Sequence, residues 1–204
     1  MQTEAVGYIK PLYPEDAHQF VQSLHARDPK PPLRHAPTDC IEVIELARLI
    51  GDPSLLPPAF YRCCQLPPSL LLGKPQEGSE VQSVPRRLSD EDLERCMLGE
   101  RYLAQAAVYV RREALKEVAI DCTRLAGACI QALDYISSTM DETDGPWGLL
   151  TIRPPCNAFT RMDDFMIWSD MDLCPECGFA VNAREWEAQK QTWECLPTYF
   201  KLKT

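Results

Sequence analysis

The 204 residues are 45% apolar and 25% charged, a balance that supports a hydrophobic core and excludes a wholly disordered chain. A net charge of −9 repels phosphate and argues against nucleic acid or an anionic membrane surface as partner. No apolar run approaches the ~18 residues of a membrane span, and residues 1–6 lack a basic-then-apolar leader, so the expected setting is cytoplasmic or nuclear with no membrane partner.

In chain order, Pro29, Pro31 and Pro32 break the chain ahead of a first helix. Thr38 is its expected N-cap, and Cys40, Val43, Ile44, Ala47 and Ile50 fall on one face opposite Glu42, Glu45 and Arg48. Gly51 and Pro53 end it. Ser54 is expected to cap a second short helix through Phe60 and Cys63, with Pro57 and Pro58 in the first turn, where a missing amide hydrogen matters least. Residues 65–88 are rich in Pro, Gly and Ser around one apolar island, Leu70, Leu71 and Leu72, and read as a linker. Ser89 and Asp92 then form a capping box. They open a long amphipathic helix striped by Leu93, Cys96, Met97, Ala104, Ala107, Val108, Leu115 and Val118.

A further helix is expected over 125–136, using Leu125, Cys129, Ala132 and Ile136. An acidic loop follows over 141–155, then an aromatic-rich piece over 159–168. Asn182 and Glu185 give the box of a last helix, with Trp186 and Trp193 on one side. Strand-like alternation is sustained nowhere and no repeat is found, so the fold class is mainly α. The expected division is 1–72, a linker at 73–88, and a helical C-terminal domain at 89–204.

Ten cysteines without a secretory leader divide between buried small hydrophobes and metal ligands. The strongest signal is Leu173-Cys174-Pro175-Glu176-Cys177-Gly178. Two thiols two residues apart, with a glycine that tolerates positive φ, can wrap a tight turn around one ion. A structural zinc site needs four ligands, so a second pair is required. Cys122 and Cys129 are preferred and Cys156 is the substitute. Cys40, Cys63, Cys64, Cys96 and Cys195 read as buried core residues. His18, His25 and His35 all lie far from the pair in sequence.

A redox dithiol at Cys174 and Cys177 is the competing reading, but Asp170, Asp172 and Glu176 disfavour a bare thiolate, whereas bound zinc welcomes acidic neighbours. There is no phosphate loop, nucleophile elbow or His-Glu-x-x-His helix. The acids at Asp163-Asp164 and Asp90-Glu91-Asp92 suit helix dipoles or solubility. Arg86-Arg87 and Arg111-Arg112 read as solvated patches. A thiol- or metal-dependent enzyme using Cys174 and Cys177 therefore stands as the alternative to a non-enzymatic protein.

Thr38-Asp39-Cys40-Ile41-Glu42-Val43-Ile44-Glu45-Leu46-Ala47-Arg48-Leu49-Ile50, continuing into Leu55-Leu56-Pro57-Pro58-Ala59-Phe60-Tyr61-Arg62-Cys63-Cys64, resembles the final helix pair of the BTB/POZ domain. It looks most like the BTB-domain proteins of mushroom-forming fungi. Leu88-Ser89-Asp90-Glu91-Asp92-Leu93-Glu94-Arg95-Cys96, a later cysteine pair, and a closing Trp193, Leu196, Pro197 and Phe200 extend the likeness from about Tyr13 onward. The resemblance implies a scaffold or adaptor that binds protein partners or itself. Nothing before Lys10 supplies the strand-rich half of such a domain, so an N-terminally shortened member is expected, with apolar surface on the helix pair that calls for a partner.

Overall fold

Every regular element is helical, and no strand occurs among the described residues. The computed structural model describes residues 7–25, 36–74, 87–124, 127–139, 156–161 and 173–202. A helical turn at 7–9 precedes α1 (Ala17–His25), α2 (Asp39–Ile50), a 3-10 turn (Pro53–Leu55), α3 (Leu56–Cys63) and α4 (Pro68–Leu71). The long α5 (Asp90–Leu115), α6 (Ala128–Thr139) and α7 (Pro175–Tyr199) follow. The chain forms two compact units, Met1–Tyr102 with Glu194–Thr204, and Leu103–Trp193. The loop expected over 141–155, Leu125, and the aromatic piece beyond Arg161 lie outside the described residues.

In the first unit, α2 buries Cys40, Ile41, Val43, Ile44 and Ala47. Ile50 is only half-buried; Ile41 takes its place in the buried face. Gly51 closes the helix with φ of 71°, a left-handed backbone that glycine adopts without a Cβ clash. Thr38 occupies the N-cap position, but its side chain caps nothing. The Asp39 carboxylate instead accepts from the amide of Ala36 at 2.8 Å.

Ser54 is likewise not the cap of α3. Asp52 caps the intervening 3-10 turn, accepting from the Ser54 amide at 3.2 Å and from its hydroxyl at 2.6 Å. A carboxylate outcompetes a hydroxyl for an orphan amide, and Ser54 becomes donor rather than cap. Pro57 lies in the first turn of α3, and Ala59, Phe60, Tyr61 and Cys63 are buried. The Arg62 guanidinium lies over the rings of Tyr13 and Phe20, 5.3 and 5.6 Å from their centroids, and donates to the carbonyl of Leu12 and the hydroxyl of Ser23. The span expected to be a linker contains α4, and the Leu88 amide donates to the Leu71 carbonyl at 3.1 Å.

The box at the start of α5 forms as the sequence indicates. The Asp92 amide donates to the Ser89 hydroxyl at 3.1 Å, and that hydroxyl donates to the Asp92 carboxylate at 2.9 Å. Asp92 is also buried and carries a two-pronged ion pair with Arg48 of α2, with Arg95 as a further donor. Burial pushes its carboxyl up, but Arg48, Ser89 and Arg95 outweigh that and hold it below the ordinary range. A buried carboxylate with this many donors fixes α5 against α2 more tightly than a cap alone.

The buried apolar face of α5 is Cys96, Leu103, Ala106, Ala107, Val110, Ala114 and Leu115, so Cys96, Ala107 and Leu115 of the expected stripe are buried. The expected stripe was one residue out of register in part. Met97 and Val108 are exposed, and the helix stops at Leu115 short of Val118. Near the C-terminus, Phe200 is fully buried and stacks on Phe60 at 5.3 Å. Cys195 is exposed and is not a core residue.

In the second unit, Arg184 of α7 closes the end of α5. Its guanidinium donates to the Ala114 carbonyl at 3.0 and 2.8 Å and to the Glu117 carbonyl at 2.6 Å. The Ala114 carbonyl is one that a helix terminus leaves without an intrahelical partner, the Glu117 carbonyl lies just beyond the helix, and a cation there also opposes the negative end of the dipole. The segment 156–161 lies against α7, where Gln189 donates to the Thr160 carbonyl at 3.4 Å and Phe159 meets Trp193 edge-on at 5.9 Å.

Candidate metal centre

The Cys-Pro-x-Cys-Gly pair is not a free-standing turn. Pro175 is the first residue of α7, a position where its fixed φ suits a helix and its missing amide hydrogen is no loss. Cys174 therefore stands immediately ahead of the helix, and Cys177 sits in the first turn. Gly178 is helical, its amide donating to the Cys174 carbonyl at 3.0 Å, and it is absent from the glycines with positive φ. The expected left-handed glycine turn is replaced by a helix start. Consequently Asn182 does not cap α7 but lies in its third turn, with a buried side-chain oxygen that has no hydrogen-bond partner.

The remaining two thiols come from the loop after α5 and from the start of α6. Cys122 lies in the first; Cys129 is the second residue of α6, two positions after Gly127, whose φ of 74° turns the chain into the helix. The structure brings Cys122, Cys129, Cys174 and Cys177 together, with all four Sγ atoms within 4.8 Å of one another. A tetrahedron with metal–sulfur bonds of ~2.3 Å has edges of ~3.8 Å, and the Cys122 and Cys174 sulfurs are 3.8 Å apart. The group could hold one metal ion, the sulfurs drawing in from at most 4.8 Å to that edge. Cys156, the substitute ligand, is buried elsewhere in the unit and is not one of the four.

The surroundings suit thiolate. The Ala119 amide donates to Cys177 Sγ and the Cys174 amide to Cys129 Sγ, each at 3.4 Å. Leu115, Leu133, Ile136, Leu173 and Val181 form one buried apolar cluster with Cys129, Cys174 and Cys177, and Cys122 packs partly buried against it. Glu176 accepts from the Thr123 hydroxyl at 3.0 Å, tying the helix start to the Cys122 loop. Without an ion Cys174, Cys177 and Cys129 titrate unequally. Burial works against ionisation of Cys174, but amide donation from Cys177 and Thr123 brings it down to about 6. Burial pushes Cys177 up to about 12 despite the Ala119 amide, and burial also raises Cys129.

A bound dication would change this balance, because its charge favours the thiolate of every cysteine that coordinates it. The amides of Ala119 and Thr123, which serve the sulfurs, have no side-chain signature and were not legible as site residues. No protein-family model, no curated protein and no solved structure matches the chain. No helix among the described residues is long and apolar enough to cross a membrane.

Proposed function

We propose that this protein is a non-enzymatic protein–protein interaction module, a BTB-like scaffold or adaptor, whose second unit is stapled by one structural Zn2+ on Cys122, Cys129, Cys174 and Cys177. The observation that carries the metal assignment is the closed set of four sulfurs. Structural zinc sites are saturated by protein ligands, whereas a catalytic zinc keeps one position for water or substrate. Soft thiolates in a tetrahedral set select zinc or an iron–sulfur centre over harder cations. Zinc fits a single-ion cage held by amide donors and apolar packing.

Binding an ion there adds a direct link among three pieces of the chain: the loop after α5, the head of α6 and the head of α7. The residue pattern of the α2–α3 pair, the α5 capping box and the closing tail supports the adaptor reading by resemblance. Exposed Leu49 at the end of α2 adds apolar surface on that pair.

The test is metal content of the purified chain with trace-metal-free handling. One zinc per chain is expected, lost in Cys174→Ser and Cys129→Ser together with the helix signal of the second unit. A folded, metal-free wild type would sink the zinc assignment. The helix-start position of Cys174 and its lowered pKa favour a second reading, a thiol-dependent enzyme. Alkylation of the zinc-loaded protein with iodoacetamide separates the two: a sequestered Cys174 stays unmodified, and a catalytic thiol reacts first. For the adaptor reading, light scattering coupled to gel filtration should show self-association of the zinc-loaded chain. A strict monomer leaves only heterologous partners and removes the self-association part of the proposal.

A further inference from the structure

The four sulfurs of the candidate centre are not equally placed. Cys129, Cys174 and Cys177 are buried, and Cys122 alone of the four is partly exposed. The Cys122 thiol reaches the Arg124 carbonyl at 4.0 Å in an exposed contact, and its sulfur lies 3.8 Å from that of Cys174 in a part-buried one. The backbone divides the group differently. Cys129 and Cys177 are built into α6 and α7, whereas Cys122 and Cys174 lie on non-helical backbone, Cys174 just ahead of α7. The two helical sulfurs also accept from backbone amides, Cys129 from Cys174 and Cys177 from Ala119. One pair, Cys122 and Cys174, therefore combines a side open to solvent, a close sulfur contact and a position outside the helices.

We propose that the centre is a redox-released zinc site: a hydroperoxide attacks at Cys122, a Cys122–Cys174 disulfide forms, and the ion is set free. The inference rests on the zinc reading above. Thiolate, not thiol, is the nucleophile, and a thiol that coordinates a dication is deprotonated outright. The bound ion thus keeps a partly exposed sulfur in its reactive form at neutral pH. Burial shields the other three ligands from an oxidant arriving from solvent, so Cys122 reacts first. Cys174 resolves it because of the 3.8 Å contact. A bond of ~2.05 Å requires the two sulfurs to close by roughly 1.8 Å, and neither has to unwind a helix to do so.

The Cys122 thiolate attacks one oxygen of the hydroperoxide and the O–O bond breaks. Sulfur is oxidised to sulfenic acid, and the alkoxide leaves and takes a proton from solvent. The Cys174 thiolate then attacks the Cys122 sulfur, and hydroxide leaves and is protonated to water. Two thiolates, one hydroperoxide and two protons become one disulfide, one alcohol and one water. Cys129 and Cys177 remain as two ligands where a closed site needs four, and they take up protons as the ion is lost. The structural output is uneven. The disulfide keeps the loop after α5 tied to the head of α7, whereas the head of α6, which reaches the centre through Cys129, loses its link through the ion.

The experiment uses the full chain, with zinc content measured before any oxidant is added. A folded chain without zinc defeats the zinc reading, and this proposal with it, at that first step. The zinc-loaded chain is then treated with hydrogen peroxide while a zinc indicator follows release. Samples are quenched by alkylation at successive times and mapped as peptides without reduction; cleavage after Glu176 separates Cys174 from Cys177. Zinc release in step with a Cys122–Cys174 link is expected, with amide exchange speeding more in α6 than in α7, and zinc rebinding after a dithiol reductant. Cys122→His keeps a fourth ligand that cannot enter a disulfide, and should slow release about tenfold or more. Zinc retained under excess peroxide overturns the switch and leaves the zinc assignment standing. So does release with a Cys174–Cys177 link while Cys122 is recovered as an alkylated thiol, or release from Cys122→His as fast as from wild type. Should Cys122→His not hold zinc, the wild-type time course decides: zinc lost ahead of any Cys122–Cys174 link overturns the proposal.

Discussion

Gly99→Ala should destabilise the first unit, although alanine is the better helix former. In an exposed helix interior the exchange gains about 1 kcal/mol. At Gly99, within α5, the new methyl would collide with Cε1 and Cδ1 of Phe200 and come within 3.1 Å of Cζ. Phe200 cannot yield cheaply. It is fully buried, stacks on Phe60, and lies in a chain end fixed by amides of Phe200, Lys201 and Leu202 donating to the carbonyls of Leu196, Thr198 and Pro197. Making room means expelling the ring, a loss on the scale of a Phe-to-Ala truncation, about 3–5 kcal/mol. Set against the propensity gain, the net loss is about 2–4 kcal/mol.

Urea unfolding followed by far-UV circular dichroism should show the midpoint falling by roughly 1–2 M for a slope near 2 kcal/mol/M. The sign must reverse when the ring is gone: in a Phe200→Ala background, Gly99→Ala should stabilise by up to about 1 kcal/mol. A Gly99→Ala protein as stable as wild type, or a loss that persists without Phe200, refutes the packing argument.

Arg48→Ala should lower stability at neutral pH by about 1.5–3 kcal/mol, because it strips the buried Asp92 carboxylate of its principal charged donor. Since the Asp92 pKa is depressed in the folded state, the stability it contributes is complete above its unfolded value of ~3.9 and is lost as pH falls through the folded value. The gap between wild type and Asp92→Asn should accordingly be widest at neutral pH and close in acid, and a pH-independent gap would contradict the ion-pair account. Arg184→Ala should cost the second unit about 1.5–3 kcal/mol and speed amide exchange near Ala119, with Arg184→Lys recovering only part. Exchange rates unchanged from wild type would remove the capping role. Cys156→Ser should keep one zinc per chain while Cys122→Ser loses it; the opposite pattern would reassign the fourth ligand.

The candidate centre was legible in composition but not in form. Spacing identified Cys174 and Cys177, because two thiols two residues apart followed by glycine is a local signal, and it ranked Cys122 and Cys129 above Cys156. It could not show that Pro175 begins a helix, since Asn182 and Glu185 offered an equally local start seven residues later. What separates the two is non-local. Starting at Pro175 places Cys177 and Val181 in the core of the second unit, and that apolar burial outweighs the roughly 1 kcal/mol of a cap. Asn182 records the outcome as a buried oxygen without a partner.

The α5 stripe held at Cys96, Ala107 and Leu115 and failed at Met97 and Val108 for a related reason. Cys96 beside Met97 and Ala107 beside Val108 offer two adjacent apolar stripes with the same period, so periodicity alone cannot choose between them. The choice of Cys96, Leu103, Ala107, Val110 and Ala114 puts the smaller member of each ambiguous pair inward. At Gly99 the space left beside the helix is filled by Phe200 from the far end of the chain. A close approach of that kind has no local signature. A helix-interior glycine reads as a weakness in sequence and becomes, in the fold, the position that admits an aromatic ring.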